Sequence, residues 1–160
     1  VQEAAASAAV RLAPPRLQAR DIPDPRLRGL LDYWESRRGE REMPLRRDID
    51  VLDLGPWLGN LMLIEVLEGG RDFRYRVYGS MLAQYYGRDL TGKTTDVVRP
   101  EARDLVRQEY RAVLVDRQPV LVLRDRQVKH RTMRVAKLVL PLSSTGAALD
   151  MLLVGSYPLP

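Results

Sequence analysis

The sequence predicts an α+β fold: five short strands with antiparallel neighbours, helices between them and an extra N-terminal helix ahead. Two observations carry this. Short β-type runs come in a pair joined by a Gly-Gly turn (residues 61–77) and in a closing trio with brief polar connections (120–156), which makes neighbours antiparallel. Between and before them lie two segments whose apolar residues recur at helical spacing.

Residues 1–22 hold few large apolar side chains and contain Pro14-Pro15, and read as a flexible lead-in. Asp24 suits a helix N-cap and Pro25 the first helical position. Leu27, Leu30, Leu31 and Trp34 then follow at i, i+3, i+4, i+7, and Gly39 is a natural stop. Met43-Pro44 opens an extended linker, residues 50–54 suggest a short helix, and Gly55-Pro56 interrupts it. Residues 23–59 are thus an N-terminal helix and linker, and 60–157 the core of the domain.

Within that core, residues 61–67 form an apolar run with one charge, Glu65, and 68–71 form a turn. Phe73, Tyr75 and Val77 alternate with Arg74 and Arg76, the period of a half-buried strand. Met81, Leu82 and Tyr85 repeat at helical spacing over residues 80–86. The clearest helix covers 100–116, with Ala102, Leu105, Val106, Tyr110, Val113 and Leu114 on one face. Glu101 and Asp104 lie near its start and Arg111 and Arg117 near its end, which complements the helix dipole. Strands at 120–124, 132–140 and 149–156 complete the chain, and no internal repeat is visible.

A length of 160 residues with 45% apolar content fits one domain with a real core. No apolar run approaches the roughly 20 residues of a membrane span. The Ala- and Arg-rich opening lacks the apolar block of a secretory leader, so a cytoplasmic protein without membrane contact is expected. Cysteine is absent, which excludes disulfides, cysteine-ligated metals and cysteine nucleophiles. The formal charge is +5, yet the lysines are only Lys93, Lys129 and Lys137, and the arginines are interleaved with acids as on a solvated surface. The densest cluster is Arg37, Arg38, Arg41, Arg46 and Arg47, without interleaved aromatics, so an arginine-rich nucleic-acid adaptor ranks last among the alternatives.

Residues 87–94 match the phosphate-loop pattern through Gly87, Gly92, Lys93 and Thr94. Such a loop needs a buried strand before it and a helix beginning at the Lys, so that backbone N–H groups face the phosphates. Here helical residues precede Gly87, Pro100 follows closely, and repeated βαβ units are missing. Nucleotide binding therefore stands as an alternative of a different class, with Lys93 on the phosphates and Thr94 on Mg²⁺.

The order strand, strand, helices, strand, strand, strand resembles a PAS domain, which implies a five-stranded antiparallel sheet with helices packed on one face, here with an extra N-terminal helix. A short helix ending in glycine (residues 79–87), a Gly92-Lys93 corner, a Pro100-Glu101 helix entry and a three-strand finish all resemble that family. Upstream, Tyr33-Trp34, Arg37-Arg38-Gly39, Met43-Pro44, Arg46-Arg47-Asp48 and Asp50, then residues 73–79, resemble a group of short single-domain bacterial PAS-like proteins with no output domain. The segment between Gly87 and Gly92 is shorter than usual for the family, so trimmed middle helices are expected.

The resemblance implies a ligand held between the sheet and the long helix. Its lining candidates are Tyr75, Met81, Tyr85 and Tyr110, which could equally be core fillers. Arg76 and Arg88 are the polar candidates, able to grip a carboxylate or simply to lie on the surface. His130 sits in a polar connection rather than on a helix, so haem is not expected, and without cysteine neither is a cysteinyl-flavin. No cofactor or metal is expected. Ser143 and Ser144 lie in a turn without a base, and no acid–base pair is evident, so no enzyme is expected. The expectation is a non-enzymatic sensory, ligand-binding or protein-interaction module in bacterial signalling. It would take a small apolar or carboxylate-bearing ligand and act on a signalling partner in trans. Leading helices in the family often pair, so Leu27, Leu30, Leu31 and Trp34 are candidates for a homodimer face; the alternative is that they pack on their own sheet.

Overall fold

Proline tolerates the first turn of a helix but not its interior, and both long helices start on one. In the computed structural model, which describes residues 10–12, 16–128 and 130–160, α1 spans Pro25–Arg38 and α3 spans Pro100–Asp116. The Asp24 carboxylate caps α1 by accepting the Arg26 backbone N–H at 2.8 Å. A short α2 (Ser80–Tyr86) ends where Gly87 takes a left-handed φ of 76°.

The strands are β1 (Val10–Leu12), β2 (Leu61–Leu67), β3 (Asp72–Tyr78), β4 (Val120–Val128), β5 (Arg131–Leu142) and β6 (Met151–Pro158). They form one antiparallel sheet in the order β1-β4-β5-β6-β2-β3. The α+β class and the antiparallel sheet agree with the sequence. Against the five strands expected, β1 adds a short sixth by pairing Val10 with Leu123 and Leu12 with Leu121. β1 and the buried Leu17 and Ile22 belong to the segment that reads as a flexible lead-in, so part of it is ordered into the fold.

Side chains alternate across a strand, and here both faces are covered. Leu121, Leu138, Leu140 and Leu153 meet Leu27, Leu30, Leu31 and Trp34 of α1. Val122, Val139, Leu152 and Val154 meet Val106, Tyr110 and Val113 of α3 and Leu82 of α2. The helices therefore divide between the two faces. Gly155 makes room for α1, because a Cβ there would come within 2.7 Å of Leu30 and 2.8 Å of Leu27. The Trp34 indole N–H donates to the Pro141 carbonyl at 2.9 Å. The proposed dimer face is corrected accordingly: Leu27, Leu30, Leu31 and Trp34 are buried inside the chain, at 0–2% exposure, and offer no surface to a second copy.

Two local expectations also change. The short helix drawn at 50–54 is replaced by 3-10 turns at Arg46–Asp48 and Gly55–Asn60, the second starting at the Gly55-Pro56 pair rather than stopping there. The alternation of Phe73, Tyr75 and Val77 breaks at a bulge, where Leu63 pairs Val77 but Ile64 pairs Tyr75. The extra residue, Arg76, reverses the facing of Val77 and Tyr78. Val77 is 43% exposed, and Tyr78 turns its ring against Tyr75, with centroids 5.4 Å apart.

Candidate functional site

Glu109 lies three residues after Val106 and four before Val113, on the stripe that α3 buries against the sheet. Opposite it, β4 and β5 pair Val122 with Lys137 and Arg124 with Val135. The two-residue period then puts Arg124 and Lys137 on the same face, the one that meets α3. Lys137 Nζ donates to Glu109 Oε2 at 2.7 Å, and Arg124 Nη1 lies 2.8 Å from Glu109 Oε1. Exposure is 6% for Glu109, 4% for Arg124 and 6% for Lys137. A charged triad is thus enclosed between α3 and the sheet.

One carboxylate faces two cations, so these three residues leave one positive charge in excess. Burial lowers the Lys137 pKa, and Glu109 opposes that shift. The Lys137 ammonium also lies 4.7 Å from the Tyr110 ring centroid, a favourable cation–π position. Arg124 is less well served. Its Nε, Nη1 and Nη2 atoms are buried and have no hydrogen-bond partner among the described residues. Its contact with Glu109 is close in distance but not aligned as a hydrogen bond.

Tyrosines surround the triad. The hydroxyls of Tyr75 and Tyr110 are 3.3 Å apart. Tyr86 adjoins Ser156, which stands across from Lys137 in the β5–β6 pair. The Arg126 guanidinium is 5.9 Å from the Tyr86 ring centroid. Burial pushes the Tyr75 hydroxyl up to about 12 and also raises those of Tyr78, Tyr86 and Tyr110. A raised folded-state pKa gives stability that is full below the unfolded value of about 10 and is lost as pH climbs through the folded one. Alkaline unfolding is therefore expected above pH about 10. Phenolate absorbance from these residues should rise together with the loss of circular dichroism. Titration of all the tyrosines at the ordinary value with the fold intact would contradict it.

Of the residues expected to line the cleft, Tyr75 and Tyr110 are brought together there. Tyr85 packs, partly buried, against the same core, while Met81 is 37% exposed. Arg76 and Arg88 point elsewhere. Arg76 is 57% exposed at its side chain and faces Glu65 at 3.5 Å, and Arg88 donates to the Val97 carbonyl on the surface. The bulge explains Arg76, since it is the residue extruded from the ladder. Among the described residues the buried cations are Arg124 and Lys137, which sequence reasoning missed along with Glu109 and Tyr78. A signal was present: Lys137 is the one charge within the apolar run from Val135 to Leu142.

The phosphate-loop alternative fails on geometry. Residues 87–94 follow helix α2 rather than a strand, and a 3-10 turn at Thr95–Val97 stands where a helix from Lys93 is needed. The amides that would hold phosphates are engaged within the chain. Thr91 N–H donates to Asp89, Gly92 N–H to the Tyr75 carbonyl and Lys93 N–H to the Leu90 carbonyl. His130 lies exposed in the β4–β5 turn. Ser144 hydrogen-bonds Asp150, and Ser143 Oγ accepts the Gly146 N–H. In the arginine-rich segment, Arg37 pairs with Asp53, Arg38 with Glu35 and Arg41 with Asp48.

Two surface clefts lie away from the triad. One is bounded by Arg41, Glu42, Met43, Leu45, Arg117 and Ser143, the other by Gly70, Arg111, Leu114 and Val115. Among the described residues no helix is long and apolar enough to cross a membrane.

A solved structure of the PAS domain of BvgS from Bordetella pertussis is 21% identical, with a TM-score of 0.42 over 62% of this chain and 75% of that one. No curated protein matches the chain. The PAS domain family profile matches residues 23–157, nearly the whole of the described fold. On that match, the chain belongs to the PAS domain family.

Proposed function

We propose that this PAS domain is a non-enzymatic sensory module that takes a small molecule between α3 and the sheet and passes the outcome to a signalling partner in trans. The observation that carries this is the enclosed Glu109–Arg124–Lys137 triad. A core that only filled space would gain from apolar residues, since replacing buried ion pairs by well-packed hydrophobics is often neutral or stabilising by about 1–4 kcal/mol. The triad also has the connectivity a switch needs. Glu109 pairs with a cation on each of β4 and β5, so a ligand that competes for either cation alters how α3 seats. A ligand shifts such an equilibrium only by its difference in affinity for the two seatings.

The test is native mass spectrometry of the purified protein, before and after incubation with the small-molecule fraction of its host's extract. A discrete adduct that also slows hydrogen exchange in α3 is expected. Absence of an adduct from both samples would dismiss a sensory ligand and leave a packed interaction module.

A further inference from the structure

We infer that Arg124 anchors a small monocarboxylate, with the ligand's anionic group meeting the guanidinium beside Lys137. This rests on the sensory role proposed above and names the chemical class of its ligand.

Arg124 is 4% exposed, and none of its three nitrogens makes a hydrogen bond among the described residues. Burying donors without partners is costly, and a guanidinium is costlier than a neutral group. Its planar fork matches a carboxylate edge-on through two parallel N–H···O bonds. Glu109 does not fill that role, because it gives Arg124 a charge contact without an aligned bond and spends its other oxygen on Lys137.

Charge selects among anions. Arg124, Lys137 and Glu109 sum to one positive charge, which a monoanion closes. A neutral ligand leaves the excess in place, and a dianion such as phosphate overshoots it and meets the Glu109 carboxylate. The surroundings select an organic ion over a bare inorganic one. Lys137 lies against the Tyr110 ring, Tyr110 touches Tyr75, and Tyr75 touches Tyr78, so aromatic surface adjoins the cations. Arg126, over Tyr86, adds positive potential at the margin of this surface.

The experiment compares acetate, propanoate and benzoate with acetamide, propanamide, benzamide and inorganic phosphate, read by thermal unfolding midpoint and native mass spectrometry. Wild type, Arg124→Met and Arg124→Lys are compared. Arg124→Met leaves Glu109 and Lys137 as a balanced pair, so it keeps the fold. Arg124→Lys keeps the charge but loses the fork. The expected result is that at least one carboxylate raises the wild-type midpoint in a concentration-dependent way while its amide does not. That shift should vanish in Arg124→Met, and Arg124→Lys should bind at least about tenfold more weakly. Amides as effective as acids, a stronger response to phosphate, or a carboxylate shift that persists in Arg124→Met would each overturn the assignment. If no carboxylate acts but wild type retains an uncharged small molecule, the monocarboxylate falls and the sensory role stands. If no small molecule of any kind is held, both fall.

Discussion

Glu109→Gln is expected to destabilise the domain by about 3–5 kcal/mol, the range for removing one partner of a buried ion pair. The change is nearly isosteric, so packing contributes little. What is lost is the carboxylate between Arg124 and Lys137, which sit 2.8 and 2.7 Å from its two oxygens. Two cations are then enclosed without a counter-charge, where desolvation is severe and mutual repulsion poorly screened. Lys137 can relieve part of this by giving up its proton, since burial already lowers its pKa. Arg124 cannot, because guanidinium stays protonated. Urea titration gives the loss directly, and the triple change Glu109→Gln, Lys137→Met, Arg124→Met should recover most of it. A Glu109→Gln loss below about 1 kcal/mol, the level of an exposed pair, would show that the triad is hydrated rather than enclosed.

Gly79→Ala is expected to cost about 3 kcal/mol, at the upper end of overpacking effects. The φ of −60° at Gly79 suits any residue, so the requirement is for space. A Cβ there would lie 2.2 Å from the Gly59 carbonyl oxygen and 2.5 Å from its carbon. These are backbone atoms in the 3-10 turn Gly55–Asn60 and cannot rotate away as a side chain tip would. Gly79 also donates its N–H to the Leu61 carbonyl at 2.8 Å and accepts the Ala83 N–H at 3.0 Å, so it joins β2 to the start of α2. Neither bond survives a shift large enough to admit a methyl group. Gly92→Ala is the control, because nothing lies within 4 Å of its Cβ position and it pays only for its φ of 79°. Equal midpoints for Gly79→Ala and wild type would refute the close approach.

Local rules carried the sequence far at some positions. Asp24 and Pro25 fixed the start of α1, and the stripe from Ala102 to Leu114 placed α3 within its observed bounds. The hairpin at β2 and β3 followed from Gly69-Gly70 between two β-type runs. The rest depends on partners distant in the chain. β6 lies between β5 and β2, a neighbour set by the whole sheet rather than by any turn. Whether α1 covers a separate face or pairs with a second copy could not be read from its four apolar residues, which look alike in either case. Glu109 resembled any other charge on a charge-rich helix, because its partners are 15 and 28 residues further on. Arg76 stood as a polar candidate in the sequence, and the bulge at Leu63 and Ile64 that extrudes it from the ladder has no local sequence signal.

β5 has leucine on one side and valine on the other, with both sides buried, so apolar character alone cannot tell it which side should meet which helix. Sliding such a strand by one residue exchanges its two sets of side chains at little apolar cost. Lys137 removes that ambiguity. In a slipped pairing its ammonium would enter the leucine layer under α1, far from Glu109, while Leu138 took its place beside Arg124. Misregistered intermediates thus carry an unmatched charge that the native alignment alone neutralises, and the residue that looks least suited to a core strand is the one that keys its register.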